Sequence, residues 1–468
     1  MRRESRVQEP ALPFSHLPPW LTSAFAALAR WLQKRSATRL PLLLYGILFA
    51  RGRRTVTSWF RAAGIADEFR PAYTTVCAVG RQVPWRAVSA LRAVQPLLQG
   101  PRLRVALDDT PTARYGPEVE GAGLHHNPSP GPAGAKYVYG HVWVTLAALA
   151  KHPDWGTLAL PLQAQLYLRA ASVDDVPPDR RRPFRTKLER AAEQLGWLKD
   201  WVGDRFAERW AVVDGAYAKR PFLRPAREHG FTVVSRLRKD AALWSVPAPV
   251  PPAERGPGRP AIYGKQRISL AKRAGQKRGW QEVACVQYGA KVVKTIKTFL
   301  ATWRPVGGVI RVVLVLEEDD WLPFFCINAE ATPQEIVEAM ADRGADEQTF
   351  QDVQEVGGAG QQQVRNVQSN EGCFHLNLWR YSLVEAWAWD RPEEDLVDRR
   401  ASPWDSEPRR PSPQDKRKAL QREVLQGESE EALAGRPSPE KIRGLVQRLL
   451  DRAAEPPYSR AAQQVQPP

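Results

Sequence analysis

Arg104-Val-Ala-Leu-Asp-Asp-Thr110 and, further along the chain, Trp210-Ala-Val-Val-Asp-Gly215 decide the reading of the fold. Each is a short apolar run that ends on acid, Asp108 and Asp109 in the first and Asp214 in the second. Four to six apolar residues bounded by turn formers read as a strand buried on both faces. A carboxylate at the tip of such a strand is costly to desolvate, so it persists where a cation or strong donors compensate it. A single Asp there is most simply a turn former that accepts backbone N–H groups. Two of them, on strands that the topology makes adjacent, point to a metal site.

The surrounding pattern supplies that topology. Strand-like runs at Leu103–Leu107, Tyr137–Ala147 and Thr157–Tyr167 precede a charged helix, Lys187–Val202. A strand at Trp210–Val213, a helix at Arg220–His229 and a strand at Phe231–Leu237 follow. Three successive strands and then alternation predict an α/β fold, a mixed sheet with flanking helices in the ribonuclease-H-like order. Strands resume at Val309–Leu316 and Phe324–Ile327. Between these blocks, residues 244–308 open on the Pro/Gly run Pro247–Pro260 and then carry strand-like pieces at Gln281–Gln287 and Val292–Phe299, which predicts an inserted basic β-rich subdomain. Gly258-Arg-Pro260 reads as part of a plain linker.

The third acid is chosen by helix geometry. Thr332-Pro-Gln-Glu335 is a capping box with Pro at the first helical position, so a helix begins there and runs toward Gln354. With ~100° per residue, Glu347 falls on the stripe of Ile336 and Met340, whereas Glu338, Asp342 and Asp346 point away. On this reading Glu347 faces the sheet and joins Asp108 and Asp214. Three acids without a histidine or cysteine cluster favour Mg²⁺ or Mn²⁺ over zinc. Two such ions, about 3.5–4 Å apart, serve in-line phosphoryl displacement.

Composition bears on partners and compartment. Sixty-eight Lys and Arg against 51 Asp and Glu leave a formal charge of +17 over 468 residues, which favours a polyanion. Residues 1–99 carry helical spacing in Trp20–Leu32, Pro41–Ala50, Thr55–Ala63 and Val83–Leu98, and Arg51, Arg53 and Arg54 stand just before one of these helices. That layout suits phosphate contacts ahead of a helix that enters a groove. Four scattered cysteines exclude a zinc ribbon and a disulfide framework. The run Leu40–Ala50 is shorter than the ~20 residues of a membrane span. With no signal-peptide pattern at its start, the chain reads as a cytoplasmic protein. Beyond about residue 396, frequent Pro, Arg, Gln and Glu predict a mostly disordered tail with a helix over Pro439–Arg452. The expected division is a helical domain (1–99), a catalytic core in two parts (100–243 and 309–395), the insertion (244–308) and the tail (396–468).

The acidic motifs resemble those of bacterial insertion-sequence transposases with a DDE catalytic domain. Leu107-Asp-Asp-Thr110 is similar to that family's first motif, Val212-Val-Asp-Gly-Ala-Tyr217 to its second, and Arg343-Gly-Ala-Asp-Glu-Gln-Thr-Phe-Gln-Asp-Val-Gln354 to its third. Arg53-Arg-Thr-Val-Thr-Ser-Trp-Phe60 is similar to its amino-terminal helical region. The resemblance implies a nuclease and strand-transferase that binds the double-stranded ends of its own element and target DNA as a homodimer, in the bacterial nucleoid. It implies Asp108, Asp214 and Glu347 as ligands of two Mg²⁺ or Mn²⁺ ions, with Asp109 left open as the alternative to Asp108. It also implies that Arg343 meets a DNA phosphate. The sequence departs from the family pattern at Met340, Gly344, Asp346 and Gln354, where Tyr, Trp, Ile and Lys are usual. The alternative reading is therefore a decayed or domesticated copy that binds DNA without cutting it.

Overall fold

A computed structural model describes residues 16–65, 69–127, 135–249, 259–318, 320–401, 404–435 and 437–453. The chain divides into two compact units, one of residues 94–351 and the other of residues 1–93 with 352–468.

The first of these is built on a sheet. Its strands are β1 (Arg102–Ala113), β2 (Gly123–His126), β3 (Tyr137–His152), β4 (Gly156–Tyr167), β5 (Glu208–Val213), β6 (Thr232–Arg236), β7 (Leu243–Trp244), β8 (Arg267–Ile268), β9 (Gln281–Gln287), β10 (Ala290–Trp303), β11 (Gly308–Leu316) and β12 (Trp321–Cys326). Among the described residues these twelve form one sheet in the order β2-β3-β1-β5-β6-β12-β11-β10-β7-β8, with β4 also on β3 and β9 on β10. The strand β1 lies antiparallel to β3 and parallel to β5, which is parallel to β6. This is the ribonuclease-H-like order expected from the sequence. Val105, Ala106 and Leu107 pair with Ala211, Val212 and Val213, all fully buried. The parallel register ends at Leu107 and Val213, so Asp214 leaves β5 beside Asp108; Asp108 does not end its strand as the sequence suggested, since β1 runs on to Ala113 paired with β3.

The segment expected as an inserted subdomain is continuous with that sheet. The strand β10 pairs with β11 from Ile296 to Trp303 and with β7 at Thr302 and Trp303. Burial explains this: Ile296 and the run Ala301 to Trp303 are buried, so the hairpin shares the core rather than making its own. Most of the Pro/Gly run, including Gly258, and the loop at 128–134 lie outside the described residues.

The other unit is helical. It holds α1 (Pro19–Ala29), α2 (Lys34–Ala37), α3 (Leu40–Phe49), α4 (Val56–Ala62), α5 (Phe69–Arg81) and nearly all of α6 (Val83–Val94). The sheet unit contributes α7 (Lys187–Val202), α8 (Arg220–Glu228), α9 (Leu270–Gly275) and α10 (Pro333–Asp342), and the chain leaves it within α11 (Gly344–Glu355). The helical unit resumes with α12 (Val367–Ala388), α13 (Glu393–Leu396), α14 (Pro413–Leu433) and α15 (Pro439–Ala453). Two glycines set the contact of α5 with α12. A Cβ on Gly80 would lie 1.8 Å from the Gln368 carbonyl oxygen, and one on Gly372 2.0 Å from that of Val76.

Two regions differ from the sequence reading. Residues 352–395 group with the amino-terminal helices rather than with the sheet. Among the described residues beyond 396, α14 is a helix with one buried face. Lys416 donates to Glu385 at 2.5 Å, Arg417 donates to the carbonyls of Leu48 and Ala50, and Tyr45 donates to Glu428 at 2.6 Å. A low apolar content hid this packing, because polar groups with matched partners do much of it. Among the described residues no helix is long and apolar enough to cross a membrane.

Candidate active site

The ladder that holds β1 between β3 and β5 also fixes the orientation of its acids. Asp108 and Asp109 are consecutive on a strand, so their side chains leave opposite faces. The backbone N–H of Asp109 donates to Asp108 Oδ1 at 2.8 Å. On the other face, Lys187 Nζ lies 2.5 Å from Asp109 Oδ2 and Tyr217 Oη donates to Asp109 Oδ1 at 3.2 Å. Lys187 opens α7, whose start is fixed by a Thr186–Glu189 capping box. Asp109 is thus anchored by two side chains. Asp214 follows β5 and takes the backbone N–H of Ala216 on Oδ2 at 3.1 Å, which leaves Oδ1 facing the other acids.

One side chain joins Asp108, Asp214 and Glu347. Arg343, between α10 and α11, places Nη2 2.8 Å from Asp108 Oδ2 and 4.0 Å from Asp214 Oδ1, and Nη1 2.7 Å from Glu347 Oε1. The arginine side chain is 15% exposed and that of Asp108 19%, against 47% for Asp214 and 59% for Glu347. The cluster is therefore deep at one end and open at the other, so ions and a phosphodiester can reach it. Three carboxylates around one guanidinium leave net negative charge.

Electrostatics follow depth. Burial pushes the Asp108 carboxyl up to about 6, against the opposing pull of the Arg343 guanidinium. Burial draws the Arg343 guanidinium down, yet the charges of Asp108, Glu347, Asp214 and Asp346 outweigh that and raise it.

The helical argument for the third acid is corrected in part. The capping box stands as expected, with Thr332 accepting from the Glu335 N–H and Glu335 accepting from Thr332. Ile336 and Met340 pack on the core as expected, but the buried face also includes Ala339, Asp342, Asp346 and Phe350, and Glu347 is exposed. Asp342 is buried because Thr157 Oγ1 donates to it at 2.5 Å and Lys151 lies 3.4 Å away. Asp346 is wholly buried, with no hydrogen-bond partner for either carboxylate oxygen. Burial raises its carboxyl well above the ordinary range, and the nearby Asp108 charge adds to the effect. Apolar spacing counted both acids as outward-facing, which rotated the apparent stripe. Glu347 reaches the cluster from the exposed shoulder of α11, through the i to i+4 contact with Arg343.

The remaining sequence candidates lie elsewhere. Arg51 and Arg53 are exposed, whereas Arg54 is half-buried and donates to the Glu355 carbonyl at 3.0 Å. Trp59 and Phe60 are buried, so α4 turns its aromatic side chains into the helical unit. His141 is buried and its imidazole is pushed down to about 3, first by burial and then by Arg114, so it is neutral and structural. Trp143 and Trp387 are buried, as their spacing predicts. Neither Lys187 nor the basic loop after β6 stood out in the sequence. A lysine at the first position of a capped helix was the available signal for Lys187.

Asp108, Asp214 and Glu347 offer only hard oxygen donors and already converge on one cationic group, which fits Mg²⁺ or Mn²⁺ better than zinc. Among the described residues no group of three His, Cys, Asp or Glu side chains is arranged to hold a metal ion. No curated protein matches the chain. The family model described as DDE superfamily endonuclease matches residues 27–304, a span that includes the Asp108 and Asp214 strands and ends before Arg343 and Glu347. This match extends over more than half of the 468 residues and agrees with the strand order, and on these grounds the chain belongs to the DDE superfamily of endonucleases.

Proposed function

We propose that the protein is a DDE transposase that cuts and rejoins DNA at the ends of a mobile element, with Asp108, Asp214 and Glu347 as ligands for two Mg²⁺ or Mn²⁺ ions. The observation that carries this reading is the gathering of all three acids on the Arg343 guanidinium, where β5 ends beside the middle of β1. Asp108 is preferred to Asp109 as the first ligand because Asp109 is held on the opposite face by Lys187 and Tyr217.

The residues divide the work. Asp108 and Asp214 are each oriented by one backbone N–H group, and the second oxygen of Asp108 becomes available when Arg343 lets go of it. When bound, two divalent ions activate the attacking water or 3′-hydroxyl and stabilise the leaving oxygen. Arg343 exchanges its carboxylates for a phosphate oxygen of the bound strand, a partner that its planar fork fits equally well. The Lys187–Asp109–Tyr217 group fixes β1 next to Asp108 and so positions that residue. Arg51 and Arg53 supply phosphate contacts to double-stranded DNA outside the cut. A homodimer would bring two ends together.

The test uses purified full-length chain and linear DNA that carries the ends of the element. New 3′-hydroxyl termini should appear with Mg²⁺ or Mn²⁺ and not with EDTA, and Asp214→Asn should reduce their yield by at least about a thousandfold. Undiminished cutting by that variant would reject the assignment. A gel shift without nicks under any metal would instead identify a copy that only binds DNA.

A further inference from the structure

Beside Asp214 the sheet opens a pocket of about 460 Å³ whose walls include Asp214, Ala216, Arg236, Leu237, Arg238 and Lys239. It lies outside the carboxyl ends of β5 and β6, where adjacent parallel strands leave a crevice. We propose that this pocket holds a backbone phosphate of the DNA strand, one nucleotide step from the phosphate held at Asp108 and Asp214. The inference rests on the nuclease reading and extends it to a second contact with the substrate.

Charge and geometry carry it. Arg236, Arg238 and Lys239 are all exposed at the pocket. Arg238 is oriented by two hydrogen bonds of 2.9 Å to Asp240, itself a wall of the pocket, and Lys239 pairs with Asp320 while lying over the Trp321 ring. Arg236 has no ion-pair partner among the described residues and stands at the end of β6. Lys219 and Arg220, exposed after β5, add positive charge at the same end of the sheet. Going from β1 to β5 to β6 crosses two strand spacings of about 4.8 Å each. The acids stand at the first pair of strands and the arginine at the second, so a strand running across the sheet end meets them in succession. Backbone contacts of this kind set register and carry no base preference.

The experiment measures binding of the full chain to a fluorescein-labelled DNA duplex by anisotropy over a salt series in EDTA, so that no strand is cut. Arg236→Gln should weaken binding about fivefold and flatten the slope of log affinity against log salt by about one. Arg236→Glu should weaken it further. Lys199→Glu, an exposed change on α7, should leave both quantities at wild-type values. Phosphate ethylation should interfere with wild-type binding at the step flanking the cut, and that signal should vanish in Arg236→Gln.

Wild-type affinity and slope in both Arg236 variants would overturn the proposal. So would competition by inorganic phosphate at constant ionic strength that Arg236→Gln abolishes while its DNA slope stays unchanged, which would mark a site for the free anion. The two readings fail separately. A chain that never cuts yet loses its salt slope in Arg236→Gln keeps the pocket and loses the nuclease. Cutting that depends on Asp214 while Arg236 variants bind normally does the reverse.

Discussion

Each unit of this chain encloses a cluster of charge, and the two clusters are built differently. In the helical unit Lys416 and Glu385 meet at 2.5 Å with side chains 0% and 1% exposed, and the buried Arg380 lies within electrostatic range of the same carboxylate. In the sheet unit Arg343 faces three carboxylates, two of which are roughly half exposed, and the wholly buried Asp346 lies close by. The closed pair is shut off from solvent and joins α14 to α12. The open cluster gathers more carboxylates than its arginine can neutralise and keeps one face in solvent.

The largest expected effect breaks the closed pair. Glu385→Gln or Lys416→Met alone should cost about 3–5 kcal/mol, because each strands a buried charge, while Glu385→Leu with Lys416→Met should recover most of that loss. Chemical denaturation measures all three. A loss in the double variant equal to the sum of the single losses would show that the two residues do not act as a pair.

A smaller effect separates Asp346 from the cluster beside it. Its carboxyl is raised in the folded chain, so the stability it leaves intact below the unfolded carboxyl range is lost as pH rises toward the folded value. Asp346→Leu should therefore stabilise the protein by about 1–3 kcal/mol at pH 8 and by much less at pH 4. Denaturation at the two pH values checks this, and a pH-independent difference would contradict it.

The smallest effect sharpens the reading of Asp108. Its carboxyl is raised to about 6 by burial, so in the metal-free protein it is protonated below that pH and ionised above it. Calorimetric Mn²⁺ affinity should fall as pH drops through about 6, approaching tenfold per unit for one competing proton. An affinity that stays flat from pH 7 to pH 5 would remove Asp108 from the ligand set.

Legibility in the sequence followed the same division. The strands β1 and β5 were readable because they are buried on both faces, so their apolar runs and terminal acids needed no knowledge of neighbours. The third acid was harder, since Asp342 and Asp346 occupy the buried face of their helices and an apolar count cannot see them. The helix α12 offered no stripe at all. It is buried nearly all round and includes Asn370, His375 and Asn377, each bonded to backbone carbonyls within its own turns or the preceding ones. The helix α14 looked like a solvated charge run because its partners, Glu385 on α12 and the carbonyls ending α3, come from distant sequence. Local periodicity located what neighbouring residues determine, and long-range pairing of polar groups escaped it.

Under the proposed function Asp108, Asp214 and Glu347 share divalent cations once Arg343 releases them. Anomalous scattering from crystals soaked in Mn²⁺ would locate such ions. Manganese peaks are expected between Asp108 and Asp214, with Glu347 within coordinating distance and the Arg343 guanidinium turned away. Arg343 still bonded to all three acids, with no peak among them at saturating Mn²⁺, would contradict it.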